Sequence, residues 1–328
     1  MSRAAPPGAA PPVPAGLLEP LNVGRLTLDR RVFMAPMAGI STPAFRRSVR
    51  RFGAGLVHTE MISSAGIAHD NRRTLDYLRC GAGEHPIGFQ LFGAEPATMA
   101  RAAAVCQAAG ADLIDINMAC PVRKVIKTGA GAALLGDPDV ALAVVRAIVD
   151  AVAGALPVTV KIRAGLRSGD RLGLALAPRL VEAGAGAVCF HPRYASELYR
   201  GEADHALTQA LCEALPVPVM ASGDVRGRQD CERLLADGAA AVMVARAALG
   251  RPWVFQEILE GTAPRHDQQA AEVRRFVADV VDEHGERAVG YLRQFWPRFR
   301  RSGALTKEQS LRLMGARTPA DIAALLDS

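Results

Sequence analysis

Seven consecutive residues, Asp115-Ile116-Asn117-Met118-Ala119-Cys120-Pro121, bring a carboxylate, an amide and a thiol together at the end of an apolar run. The run from Ala111 to Ile116 reads as a buried strand. Proline has no N–H to give a sheet, so the chain must leave it by Cys120. Asn117 and Cys120 therefore belong to a loop at the C-terminal end of that strand. An unperturbed thiol titrates near about 8.5, and acts as a nucleophile when ionised or a proton donor when not. A free cysteine is often only a small buried hydrophobe. The amide beside Cys120 and the basic pair Arg123-Lys124 behind it favour chemistry.

Other apolar runs also stop on polar or special residues. Taken in order, the endings are Pro36-Met37-Ala38, Glu60, Gln90, then Asn117 with Cys120. Lys161 with Arg163 and His191 with Arg193 follow, then Ser222-Gly223-Asp224 and Ala245-Arg246. One lysine or histidine on a strand is ordinarily a satisfied structural residue. A set of such endings marks a ligand site. Ser222-Gly223-Asp224 lets the backbone approach a phosphate closely, and Ala245-Arg246, opening a short helix over Ala247–Leu249, offers N–H groups and a guanidinium. Lys161 can stabilise negative charge on a planar heterocycle, and Gln90 can both donate to and accept from a ring amide. Flavin mononucleotide meets these needs together; a sugar phosphate or pyridoxal phosphate is equally compatible with the composition.

Positioning these endings at one mouth requires a repeated unit. Four times an alanine-rich segment closes on Gly-Ala and a short apolar run follows: at Gly53, Gly110, Gly184 and Gly238. Glycine ends a helix in the left-handed conformation, and a short run apolar on both faces is a buried parallel strand. With Arg31–Ala35, Pro86–Phe92, Pro157–Ile162 and Val217–Ser222, eight strands are expected. Helices are expected over Glu95–Ala109, Asp137–Val152, Asp170–Ala183 and Gly227–Ala236. No glycine-rich dinucleotide fingerprint follows the first strand, which argues against a doubly wound sheet. The expected fold is α/β, a TIM (β/α)8 barrel over residues 17–260, followed by a small all-helical domain over 266–328. Residues 1–16, rich in proline and alanine, read as a disordered tail rather than a signal peptide.

The formal net charge is +6. It is concentrated between Arg287 and Arg317, where eight basic residues (Arg287, Arg293, Arg298, Arg300, Arg301, Lys307, Arg312, Arg317) face one acid, Glu308. Such a patch fits a phosphate-rich partner. Tyr291, Phe295, Trp296 and Phe299, interleaved with it, read as the core of the helical domain. The six cysteines, at 80, 106, 120, 189, 212 and 231, stand singly, without metal-ligand spacing. That pattern fits a reduced, cytoplasmic protein with no metal, and no run is long enough to span a membrane. Nothing calls for an obligate protein partner.

The ordered series Ala35-Pro36-Met37-Ala38-Gly39, Thr59-Glu60-Met61, Asp115 through Pro121, Lys161-Ile162-Arg163, Tyr199 through Asp204 and Arg246 through Trp253 resembles the tRNA-dihydrouridine synthases, most closely their bacterial B-type members. The likeness runs from about Leu17 through Phe255 and, more weakly, onward. It implies an FMN-dependent barrel that reduces uridines of tRNA to 5,6-dihydrouridine at the expense of NADPH or NADH. Reduced FMN would pass hydride to C6 of the uracil, and Cys120 would protonate C5. Asn117, Arg163 and Arg193 would hold the substrate. Pro36, Met37, Ala38, Gln90, Lys161 and His191 would line the flavin. Ser222, Gly223, Asp224, Ala245 and Arg246 would hold its phosphate. Arg293, Arg298, Arg300 and Arg301 would bind RNA. Ala119, Pro192, Tyr194, Ser222 and Ala245 depart from the family pattern, around backbone donors that survive the changes. Two other activities share these features: oxidation or reduction of a free pyrimidine, as in dihydroorotate dehydrogenases, and RNA binding without turnover.

Overall fold

The computed structural model describes residues 16–327. The expected tail over 1–16 lies, apart from Gly16, outside the described residues. A short antiparallel hairpin, β1 (Leu21–Val23) and β2 (Leu26–Leu28), comes first. Nine further strands follow: β3 (Val32–Met34), β4 (Val57–His58), β5 (Ile62–Ser63), β6 (Ile87–Phe92), β7 (Leu113–Met118), β8 (Val158–Gly165), β9 (Ala187–Tyr194), β10 (Val219–Ser222) and β11 (Ala241–Val244). Leaving β5 aside, eight of them pair in parallel in the order β3-β11-β10-β9-β8-β7-β6-β4. The bridge between Phe33 and Leu56 and the Met34 N–H donating to Leu56 O at 2.8 Å join the two ends, so the sheet closes into a barrel. All eight expected strands start within two residues of the observed ones and six also stop within two; β8 and β9 each run three residues further, β9 past Pro192. The four repeat glycines carry φ of +95°, +94°, +108° and +96°, the helix-closing geometry expected of them.

Strand alternation decides what enters the lumen. On β7, Leu113, Asp115 and Asn117 point inward, while Ile114, Ile116 and Met118 join the outer core under the helices. On β8 and β9 the inward series are Lys161 and Arg163, and Cys189, His191 and Arg193. The series on β7 and β9 run from apolar at one end of the barrel to polar at the other. At the apolar end the β1–β2 hairpin supplies Leu21, Val23 and Leu28, which pack with Phe33, Leu113, Met220 and Met243 and plug it. Nothing in the sequence announces that hairpin, because its strands of three residues are too short to show periodicity.

The helices that wrap the barrel include α1 (Pro43–Arg51), α2 (Pro96–Ala108), α3 (Pro138–Val152), α4 (Leu172–Glu182) and α5 (Arg228–Ala236). The Glu95 and Asp137 carboxylates accept from the first free N–H groups of α2 and α3, and proline sits where no intrahelical bond is lost. After α6 (Val254–Glu260) come only helices: α7 (His266–His284), α8 (Ala288–Leu292), α9 (Trp296–Arg301), α10 (Lys307–Gly315) and α11 (Pro319–Asp327).

The terminal helices share one core with the barrel's outer layer. Phe45 of α1 packs edge-on to Phe276 of α7 with centroids 6.4 Å apart, and Phe276 meets Phe295 at 4.9 Å. Phe295, Trp296 and Phe299 are buried, as core residues rather than a stacking platform. Beside this core, ion pairs tie α1 to α7, Arg47 with Glu283 at 2.8 Å and Arg51 with Glu272 at 2.5 Å, and Ser48 Oγ donates to Glu272 Oε1 at 2.6 Å. The Gly250 backbone runs so close to α9 that a Cβ there would meet the Arg298 Cβ at 2.6 Å.

Candidate active site

A cavity of about 910 Å³ opens at the polar end of the barrel. Its wall includes all the residues expected around a cofactor, namely Pro36, Met37, Ala38, Gln90, Lys161, His191, Ser222, Gly223, Asp224, Ala245 and Arg246. Asn117, Cys120, Arg163 and Arg193 line it too. Of the four arginines expected to bind RNA, Arg298 reaches this cavity from α9, whereas Arg293, Arg300 and Arg301 are exposed elsewhere on the helices. Among the described residues, no group of three or more His, Cys, Asp or Glu side chains is arranged to hold a metal ion.

The Cys120 loop is fastened from both sides. Asn117 Oδ1 accepts the backbone N–H of Ala119 at 3.1 Å and of Cys120 at 2.9 Å. Asn117 Nδ2 donates to Gln90 Oε1 at 2.8 Å and lies 3.1 Å from Met61 Sδ. Arg163 Nε donates to Ala119 O at 2.8 Å, and its Nη1 donates to Leu198 O at 2.8 Å and Tyr194 O at 3.2 Å. The thiol is 9 % exposed, in an apolar niche with Val125 and Ala130. Burial pushes its pKa up, against the Val122 N–H and the Arg163 charge, so it stays protonated at neutral pH.

Lys161, paired in register with Asn117 and Cys189, opens into the cavity with no hydrogen-bond acceptor among the described residues. Burial lowers its pKa, with Arg163 pushing the same way. His191 is held neutral by burial and by Lys161, Arg163, Arg193 and Arg246 around it. Arginine carries only donors, so the 3.2 Å contact with Arg193 Nη1 makes His191 Nε2 the acceptor. The ring proton then resides on Nδ1.

Arg193, 1 % exposed, spends its other donors on the protein: Nε on Arg200 O at 3.1 Å, and Nη2 on Gly201 O at 2.7 Å and Asp224 Oδ2 at 2.6 Å. Asp224 also takes Arg246 Nη2 at 2.8 Å and the Ala203 N–H at 3.0 Å. Burial opposes its ionisation, but these donors prevail and hold its pKa below the usual carboxylate range. The Ser222–Asp224 turn is tight: Gly223 has φ +110°, and a Cβ there would meet His191 Cδ2 at 2.7 Å. The short helix after β11 is a 3-10 turn over Arg246–Ala248, one residue earlier than expected.

One aromatic residue lies outside the expected set. Tyr199, 58 % exposed at the lip, stacks on His191 with centroids 6.4 Å apart and takes Arg163 and Arg246 over its face at 5.4 and 5.9 Å. The loop that presents it is pinned by the arginine–carbonyl bonds above. The aromatic in the Tyr199-Arg200-Gly201 stretch is the available signal, obscured because that loop belongs to no periodic element. Glu60, expected at the mouth, instead turns to accept the Gly39 N–H. From the other side, Tyr291 Oη of α8 donates to Ile40 O at 3.2 Å. The loop after β3 is thus held between barrel and terminal helices.

The family model described as dihydrouridine synthase matches residues 33–300. A protein of Rhizobium leguminosarum bv. phaseoli named probable tRNA-dihydrouridine synthase is 37 % identical over 311 residues, 92 % of this chain and 95 % of that one. The tRNA-dihydrouridine synthase B of Pseudomonas aeruginosa is 38 % identical over 239 residues, 73 % of this chain and 71 % of that one. Among solved structures, morphinone reductase in complex with tetrahydroNAD superposes with a TM-score of 0.55 at 16 % identity, over 77 % of this chain and 92 % of that chain, a likeness of fold.

Proposed function

The chain belongs to the dihydrouridine synthase family, and from that premise we propose that it reduces specific uridines of tRNA to 5,6-dihydrouridine with FMN and NADPH or NADH. The observation that carries this reading is the company Cys120 keeps: a protonated thiol in the wall of the same cavity as Lys161, His191, Gln90 and the Ser222–Asp224 turn.

The residues present fit FMN. The cavity is as large as ligand sites usually are. At one end the Ser222–Asp224 turn, the backbone of Ala245 and the Arg246 guanidinium can hold a phosphate. In the middle Pro36, Met37 and Ala38 offer a flat apolar wall, and the unpartnered Lys161 ammonium a charge for the ring's electron-rich edge. When bound, FMN would supply the hydride that goes to C6 of the uracil. A uridine in structured RNA must be turned out of its stack to arrive there. Cys120 then gives its Sγ proton to C5, and Asn117 and Arg163 hold the loop that carries it. Arg193 acts through the phosphate turn that it clamps. Arg298 at the lip, with Arg293, Arg300 and Arg301 beyond, would meet RNA phosphates, and a cytoplasmic setting among RNA and reduced nucleotide suits all of these groups.

Cys120→Ala should retain its yellow flavin and its oxidation of NADPH, yet lose roughly 10²-fold or more in dihydrouridine formation. Mapping dihydrouridine in RNA from cells carrying either form checks this. Normal product from the variant refutes the acid role, and a colourless purified protein that takes up no FMN refutes the reading as a whole.

A further inference from the structure

Beneath Cys120 three polar residues share one level of the barrel. The strand register pairs Gln90 with Asp115 and Asp115 with Thr159, and all three are buried. Asp115 is 0 % exposed and touches none of the cavity. Its Oδ2 accepts from Gln90 Nε2 at 2.6 Å and its Oδ1 from Thr159 Oγ1 at 2.6 Å. Gln90 Oε1 accepts from Asn117 Nδ2, and Asn117 Oδ1 accepts from the Cys120 and Ala119 N–H groups.

Every bond in this series points the same way. At the upper end stand backbone N–H groups, which only donate, so Asn117 must present its oxygen upward and its nitrogen down. At the lower end burial pushes the Asp115 pKa up, against His58, Thr159, Gln90 and Lys161; a proton held on Oδ1 can be given to Thr159 Oγ1, so Oδ2 accepts in either state, and Gln90 must present its nitrogen to it and its oxygen up. Each carboxamide is thus oriented from both sides. Turning either one would set nitrogen against nitrogen and oxygen against oxygen in a buried place, where an unmet polar group is costly.

We propose that Asp115 is a positioning residue: by accepting from Gln90 it sets the orientation of both carboxamides, and through them the place of the Cys120 loop. The proposal rests on Cys120 being the reacting thiol, but its test needs no turnover. What Asp115 supplies is an acceptor rather than a charge. An asparagine there can offer its oxygen to Gln90 and its nitrogen to Thr159 Oγ1, which accepts as readily as it donates.

The test is alkylation of the flavin-free full chain by iodoacetamide at pH 8, read cysteine by cysteine by peptide mass spectrometry. Cys106 and Cys231, buried far from the site, report any general loosening. Asp115→Leu is expected to speed alkylation of Cys120 about tenfold or more while Cys106 and Cys231 stay protected. Asp115→Asn should keep Cys120 near the wild-type rate. Asn117→Ala should release Cys120 as Asp115→Leu does, and the two changes together should release it no further. If Asp115→Leu exposes Cys106 and Cys231 as well, Gln90→Leu, which breaks the middle link, must release Cys120 alone. Unchanged Cys120 in a folded Asp115→Leu or Gln90→Leu protein overturns the proposal, and so does an Asp115→Asn protein that behaves like Asp115→Leu, since charge would then be the cause. Normal dihydrouridine formation by Cys120→Ala would overturn the acid role and leave these alkylation rates untouched.

Discussion

At Cys120 burial opposes the ionised thiol, while the Val122 N–H and Arg163 favour it, and burial wins. The direction has a consequence for pH. In the proposed reaction the working form is the protonated one, so activity should be present below the thiol's pKa and lost as pH rises through it. Because that pKa is raised, the rate of dihydrouridine formation should hold through pH 8 and fall only above the ordinary thiol range of about 8.5. His191 is neutral for the opposite reason, burial among cations, and should add no acidic limb near neutrality. A kcat profile between pH 6 and 10 checks both: a rate that climbs with pH across this range would mean that the thiol works as a thiolate. Cys120 is legible as a candidate from the proline after it. That Asn117 serves it through its backbone is not, because a side chain's partners depend on register with β6 and on the turn beyond β7.

Among the elements, the strand ends and the glycine turns carry the site. Period-two alternation sends Lys161, Arg163, His191 and Arg193 to the lumen, and their polar character is visible in the sequence. Between Arg163 and Gly165 the β8–β9 register shifts, beside Pro192, which has no N–H to give the ladder. β9 nevertheless continues to Tyr194, since the next residues regain their bonds. In the β10 turn the space beside Gly223 is already filled by His191 and Ala203. Gly223→Ala would demand a positive φ of alanine and displace the His191 ring. It is expected to weaken FMN binding at least about tenfold with a modest loss of stability, about 1–3 kcal/mol. Flavin fluorescence titration and thermal melting measure the two; unchanged affinity would show that the turn does not approach the cofactor.

For the whole molecule, the terminal helices are part of the barrel's wall as well as a basic surface. Ion pairs from α1 to α7, the aromatic cluster and the Tyr291 contact with Ile40 tie them to the loop after β3. The basic residues therefore divide. Arg293, Arg300 and Arg301 are exposed, whereas Arg298 lies at the cavity lip over the Phe295 ring. Replacing Arg293, Arg300 and Arg301 together by glutamine should weaken binding of tRNA and flatten its salt dependence, by a slope of about 0.7–0.9 for each phosphate that is no longer neutralised. Oxidation of NADPH by the flavin alone should be unaffected. Filter binding across a salt series checks this, and an unchanged slope would locate the RNA elsewhere.

The amino-acid sequence by itself determined the barrel, its parallel strands and the inventory of polar strand ends. Those properties follow from local patterns: the Gly-Ala helix stop, the short apolar run and the proline that ends it. Only the tertiary structure decided that Arg193 and Arg163 spend their charge on loop carbonyls, that Glu60 turns to Gly39, and that Arg298 enters the cavity from another part of the chain. Apart from the Arg193 bond to Gly201, eight residues on, those are interactions between residues distant along the chain. Their partners exist only once the sheet has closed and the helices have docked, and no spacing within one segment encodes them.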